Sequence, residues 1–137
     1  IGSNDATSLK AYSTAGLTRI GIDPTGEKFR DYYPKDIKLV PDFFSSANFQ
    51  KISQKRAKII TSIAMFYDLE DPVAFAREIA SSLDDCGIWI FEQSYMPAML
   101  ETNSYDTVCH EHLEWFDDEI DRLERAECGC PECESGG

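Results

Sequence analysis

Two histidines and a glutamate, His110, Glu111 and His112, stand side by side in a Cys-His-Glu-His-Leu-Glu run. A neutral imidazole, with an ordinary pKa of ~6.5, can accept a proton near neutral pH, and a neighbouring carboxylate can orient or polarise the group it acts on. On residue type alone three readings stay open: a general base, a surface pair, or half of a metal site. A second group lies at the start of the chain, where Gly2-Ser3-Asn4-Asp5-Ala6 is a turn of small residues whose backbone N–H groups can approach a ligand closely. Asp23 follows Asp5 by 18 residues, close to the spacing at which an acidic residue meets ribose hydroxyls in nucleotide-binding βαβ units. The turn holds one glycine and lacks a full G-x-G-x-x-G, so a plain tight turn explains it equally well. Asp42 and Phe43 offer a carboxylate and a ring, suited to the edge and face of an adenine. Ser62 marks a further candidate position, and Gln93 and Tyr95 another.

These residues act together only if the chain brings them to one place. Four short apolar runs of strand character occur at residues 18–23 (TRIGID), 37–44 (IKLVPDFF), 58–66 (KIITSIAMF) and 87–93 (GIWIFEQ). Continuous apolar runs suit strands covered on both faces, as in a parallel sheet. Helices are predicted between them. One covers residues 6–15 and closes at Gly16; another covers 26–33, with Phe29, Tyr32 and Tyr33 on one face before Pro34 stops it. The clearest covers 72–83, with Asp71 as N-cap, Pro72 at the first position, and Val73, Phe75, Ala76, Ile79, Ala80 and Leu83 as its buried side. Alternating strands and helices predict an α/β three-layer sandwich with a mostly parallel sheet. Ligands of such sheets bind beyond the carboxyl ends of the strands, where the 2–6 turn, Asp23, Asp42 with Phe43, and the stretch after Ser62 all fall.

A chain of 137 residues that is 42% hydrophobic and 12% aromatic has the size and composition of one packed domain. Its formal charge of −12 excludes binding to nucleic acid or anionic lipid through a basic face. Residues 1–113 carry 11 basic and 16 acidic side chains and residues 114–137 carry 2 and 9, so −7 of the charge sits in the last stretch. Five cysteines, three of them crowded at Cys128, Cys130 and Cys133, do not form the paired framework of a secreted disulfide scaffold. With no signal-peptide pattern and no apolar run near the ~18 residues of a membrane span, a soluble cytoplasmic protein is expected.

The order IGSND, then IGIDPTGEKFRDYYP, LVPDFFS, ITSIAMFYDLEDPVAFAREIA and GIWIFEQSYMPAMLETNSYDTVCHEHLEW, closely resembles the S-adenosylmethionine-dependent C-methyltransferases that act on nucleotide-linked keto-sugars. The likeness covers residues 1 to about 115, and the stretch from Glu92 to Glu114 with its CHEHLE segment is unusual for methyltransferases in general. The resemblance implies a Rossmann-like class I methyltransferase fold, S-adenosyl-L-methionine as cofactor and a nucleotide-linked keto-sugar as substrate. It implies that Gly2, Ser3 and Asn4 line the methionine part of the cofactor, that Asp23 binds its ribose, and that Asp42 with Phe43 borders the adenine. Methylation at carbon requires an enolate, formed by removing a proton next to a ketone. His112, the second histidine of the motif, is the expected base, with Glu111 orienting the site. Ser62 is grouped with the cofactor, and Gln93, Tyr95 and His110 with the substrate. Displacement at a cationic sulfonium depends on alignment and charge placement more than on covalent catalysis.

The sequence departs from that family in three places. Ala6 stands where another glycine is usual. The family's first strand would end at Ile1, so the chain reads as a fragment, with a gap expected between the neighbouring strands or a new pairing of them. After Trp115 the likeness stops, and residues 116–127 read as an acidic amphipathic helix followed by a flexible Cys-rich tail whose C-x-C-x-x-C spacing does not supply four metal ligands. The expected organisation is therefore a partial cofactor-binding core at 1–115 and a tail at 116–137, lacking the first and C-terminal strands. The competing readings are a truncated or degenerate cofactor-binding domain without turnover, and an acidic fragment that binds a partner.

Overall fold

A computed structural model describes residues 1–104; His110, Glu111, His112, the acidic stretch from 116 and the cysteines of the tail lie outside the described residues. In chain order the elements are α1 (Thr7–Ala11), β1 (Arg19–Ile22), a 3-10 turn (Gly26–Tyr32), β2 (Ile37–Val40), α2 (Ser46–Gln50), β3 (Ala57–Ile63), a short 3-10 turn (Phe66–Asp68), α3 (Pro72–Ser82), β4 (Leu83–Glu92) and α4 (Met96–Thr102). This is a mixed α/β arrangement of parallel strands, compatible with part of a Rossmann-like fold.

The four strands form two parallel pairs. β1 lies beside β2, with Arg19 opposite Ile37 and Ile22 opposite Val40. β3 lies beside β4, with Ile59 opposite Ile88 and Ile63 opposite Glu92, and the register shifts between Ala57 and Ile59. Gly87 sits at that shift, where a Cβ would come 2.8 Å from the Ala57 carbonyl oxygen and 2.9 Å from that of Asp84. The pairs do not hydrogen-bond to each other. Residues 1 and 2 span the space between them: the Ile1 ammonium donates to the Thr61 carbonyl of β3 at 2.7 Å, and the Gly2 N–H donates to the Ile22 carbonyl of β1 at 2.9 Å. The order across the molecule is thus β2, β1, residues 1–2, β3, β4.

Side-chain alternation sorts β3 and β4 into two faces. Ile60, Ser62, Trp89 and Phe91 face inward, against α3 and the turn after β3. Phe66 is the centre of that cluster, 5.4 Å from the Trp89 ring, 5.7 Å from Phe91 and 6.1 Å from Phe75, with Ile79 of α3 fully buried beside them. The other face carries Ile59, Ile63, Ile88 and Ile90, each about half exposed. Coverage on both faces, expected from the apolar runs, is therefore not seen among the described residues; these strands are buried on one.

α3 follows the prediction closely because its start is chemically marked: Asp71 accepts the Ala74 N–H at 2.8 Å and Pro72 fits the first turn, where its missing N–H is no loss. Its buried side is narrower than expected, since Val73 is exposed and Leu83 already belongs to β4. The first helix is half the predicted length. The Arg19 guanidinium takes the carbonyls of Leu9 and Tyr12, at 3.3 and 2.9 Å, and Tyr12 is extended. The 26–33 stretch forms a 3-10 turn instead of an α-helix. α2 and α4 were not predicted; α2 is capped by Ser45, whose Oγ accepts the Asn48 N–H.

Candidate functional site

The chain leaves the space between β1 and β3 through residues 2–6, at the carboxyl ends of the strands. Three of these five residues hold positive φ: Gly2 at 63°, Asn4 at 43° and Ala6 at 63°. Glycine adopts this region freely, whereas for Ala6 it costs roughly 1 kcal/mol, and Ala6 is fully buried, so its surroundings enforce the conformation. This is the position where the resemblance leads one to expect glycine. The turn closes on itself through the Ala6 N–H to the Ser3 carbonyl, 2.8 Å.

Asp23, at the end of β1, ties the turn down. Its Oδ2 accepts the Asn4 N–H at 2.7 Å, and its Oδ1 accepts both the N–H and the hydroxyl of Thr25 at 2.7 Å. The residue is 4% exposed. A carboxylate held this way has little freedom, and its first service is to the loop: it fixes Asn4 and the turn after β1 against each other. An oxygen that accepts two hydrogen bonds has spent its lone pairs, so only Oδ2 keeps capacity for a ligand hydroxyl. Ser3 is fixed separately, by a 2.7 Å hydrogen bond between its hydroxyl and that of Tyr33. Gly21 makes room for this pair, since a Cβ there would come 2.5 Å from Ser3 Oγ. Just outside the turn, Asp5 accepts from Thr7, whose side-chain and backbone hydrogen bonds hold its carboxyl below the usual range.

β2 brings the next pair alongside, because the Asp23 N–H donates to the Val40 carbonyl at 3.0 Å. Asp42 accepts from the Phe43 N–H at 2.8 Å and from Asn48 Nδ2 at 3.0 Å, while Asn48 also donates to the Phe43 carbonyl at 3.0 Å. Phe43 is left 74% exposed, a free aromatic face at the carboxyl edge of the sheet. Asn48 is a residue that the sequence reading missed; the Ser45 cap that begins α2 was the available signal.

Ser62 is placed differently from the rest. It is 1% exposed and accepts the Trp89 indole N–H at 2.9 Å, which puts its hydroxyl in the core between β3 and β4. The neighbours that do reach the edge come just after it: Ala64, at φ 49°, donates to the Glu92 carbonyl at 2.8 Å, and Met65 Cγ lies 3.9 Å from where a Cβ on Gly2 would be. At the end of β4, Gln93 Oε1 is buried with no hydrogen-bond partner among the described residues, and Tyr95 caps α4 with its carbonyl accepting the Met99 N–H at 3.1 Å. A buried acceptor without a donor costs on the order of 1–3 kcal/mol unless something else supplies one.

The structure therefore brings Gly2, Ser3, Asn4 and Asp23 into one hydrogen-bonded unit, sets Asp42 and Phe43 beside it, and turns Ser62 away from it. No protein-family model matches the chain. The chain is 23% identical over 117 residues to the C-methyltransferase NovU of Streptomyces niveus, an alignment that takes in 84% of this chain but 28% of that protein, so the chain spans little more than a quarter of the curated relative it matches.

Proposed function

We propose that residues 1–115 are a partial cofactor-binding core of an S-adenosylmethionine-dependent C-methyltransferase, which transfers a methyl group to a carbon next to a ketone of a nucleotide-linked sugar. The observation that carries the reading is the 2–6 turn clamped to Asp23, at the carboxyl ends of parallel strands and between the two strand pairs, where the chain order reverses direction. Similarity to a C-methyltransferase supports the class of reaction.

The residues present fit such a cofactor. The small side chains of residues 2–4 leave room for the amino-acid end, although the Gly2 and Asn4 N–H groups are already given to Ile22 and Asp23; Oδ2 of Asp23 keeps an acceptor position that suits a ribose hydroxyl, and the exposed Phe43 ring with Asp42 beside it suits a purine. Gln93 Oε1 supplies an acceptor for a ligand donor, whether the ammonium of the cofactor or a hydroxyl of the sugar. When bound, the cofactor offers a methyl group on a cationic sulfonium. The chain's part is to hold the acceptor carbon in line with that bond and to remove the proton that makes the carbon nucleophilic. His112 is assigned the proton transfer, Glu111 its orientation, and His110 and Tyr95 contact with the sugar.

Isothermal titration with S-adenosylhomocysteine tests the core of this reading: binding is expected, and no detectable heat at millimolar ligand overturns it. Turnover is a separate question. Methyl transfer to a nucleotide-linked keto-sugar, lost in His112→Asn, is expected of an active enzyme. Binding without transfer instead identifies a cofactor-binding domain that does not act alone.

A further inference from the structure

Tyr33 is given no role by the resemblance, yet it touches the loop at its most constrained point. Its hydroxyl is 2.7 Å from Ser3 Oγ. Its ring lies against the bare backbone of β1, because a Cβ on Gly21 would come 2.9 Å from both Tyr33 Cε1 and the hydroxyl oxygen. The backbone fixes where the ring stands: Tyr33 ends the Gly26–Tyr32 turn with its N–H on the Arg30 carbonyl at 3.1 Å, and Pro34 follows with its carbonyl accepting the Ile37 N–H at the start of β2. Ser3, Gly21 and Tyr33 thus form a stack joining the loop, β1 and the approach to β2.

A hydroxyl pair shares one hydrogen, and which oxygen donates decides what the other can do. Burial pushes the Tyr33 pKa up, opposed in part by the Ser3 bond, and the charges of Asp23 and Asp5 push it up further. The phenol keeps its proton and has that proton to give. If Tyr33 donates, Ser3 Oγ is occupied as an acceptor and its own O–H is turned away from the phenol. We propose that Tyr33 is a positioning residue: by donating to Ser3 Oγ it aims the Ser3 hydroxyl outward as a donor to the carboxylate of the cofactor's amino-acid end. The assignment rests on the reading of residues 2–4 as the cofactor loop.

The test compares two ligands by titration calorimetry on the 137-residue chain: S-adenosylhomocysteine, which carries the carboxylate, and 5′-methylthioadenosine, which has the same nucleoside and thioether but no amino-acid end. Tyr33→Phe keeps the ring and removes the donor. It is expected to weaken S-adenosylhomocysteine by about three- to tenfold, the range of one neutral hydrogen bond, and to leave 5′-methylthioadenosine unchanged. Ser3→Ala is expected to show the same selectivity, and Tyr33→Phe with Ser3→Ala no more than Ser3→Ala alone, which keeps the test open if one variant folds poorly. Equal weakening of both ligands reduces Tyr33 to a packing residue and overturns the proposal. So does unchanged binding of S-adenosylhomocysteine in Tyr33→Phe. If the unsubstituted chain binds neither ligand, the cofactor reading itself has failed, a result distinct from both.

Discussion

At Gly21 the missing side chain is what allows three groups to meet. A Cβ there would stand 2.5 Å from Ser3 Oγ, well inside contact distance, and the Tyr33 ring blocks the remaining space. Gly21→Ala is expected to cost about 1–3 kcal/mol, the usual penalty of overpacking a filled site. Relief by pushing Ser3 outward would convert part of that cost into weaker S-adenosylhomocysteine binding. Urea denaturation and calorimetry on the same protein separate the two, and a variant unchanged in both would mean that the Ser3, Gly21 and Tyr33 stack is not tight in solution. The association of Gly2, Ser3, Asn4 and Asp23 was legible in the sequence, because an acidic residue about one βα unit beyond a small-residue turn falls at the same sheet edge whatever the details of the helix between. What could not be read was the division of labour. Asp23 spends three hydrogen bonds on its own loops, and Ser62 satisfies an indole across β3 and β4, a partnership set by strand register and not by anything local to Ser62.

Among the elements, α3 was the one best marked, and its mark is testable. Asp71→Ala removes the acceptor for the Ala74 N–H and is expected to lower stability by about 0.5–2 kcal/mol, read as a shift in the urea midpoint, whereas Asp71→Ser should retain most of it. An alanine variant as stable as the parent would show that the helix start is held by the packing of Phe75 and Ile79 alone. The shorter elements escaped prediction for a physical reason. Five residues, as in α2, make too few turns to display a periodicity, and their ends are set from a distance: the Ser46 N–H is held by Glu78 of α3, which the side-chain and backbone hydrogen bonds of Ser46 keep more acidic than usual. α1 is cut short in the same manner by Arg19, ten residues beyond Leu9 in sequence. The apolar runs gave the strands and their parallel direction, but a run of isoleucines looks the same whether one face or both are covered, and here Ile59, Ile63, Ile88 and Ile90 are open.

At the scale of the whole molecule, the charge of −12 divides unevenly enough to leave residues 1–104 nearly balanced. Residues 1–104 carry 11 basic and 14 acidic side chains, a net −3, so repulsion among them is weak and their pH response is set by individual groups. The carboxylates held below their usual range set the acid limb: Asp5 by the side-chain and backbone hydrogen bonds of Thr7, Glu78 by those of Ser46, and Asp84 by the side-chain hydrogen bond of Lys58. Each binds its proton less readily in the folded chain than in the unfolded one, so each contributes stability that is present above the unfolded carboxylate pKa and is lost as pH falls through the lowered folded value. Urea midpoints are therefore expected to hold level from about pH 7 to 6 and to fall on acidification below about pH 5. Glu78→Gln, which keeps an acceptor for the Ser46 N–H but does not titrate, is expected to make that fall shallower. A variant whose midpoint falls as steeply as the parent's would assign the acid limb to other groups, and would mean that the bond joining α2 to α3 is not formed in solution.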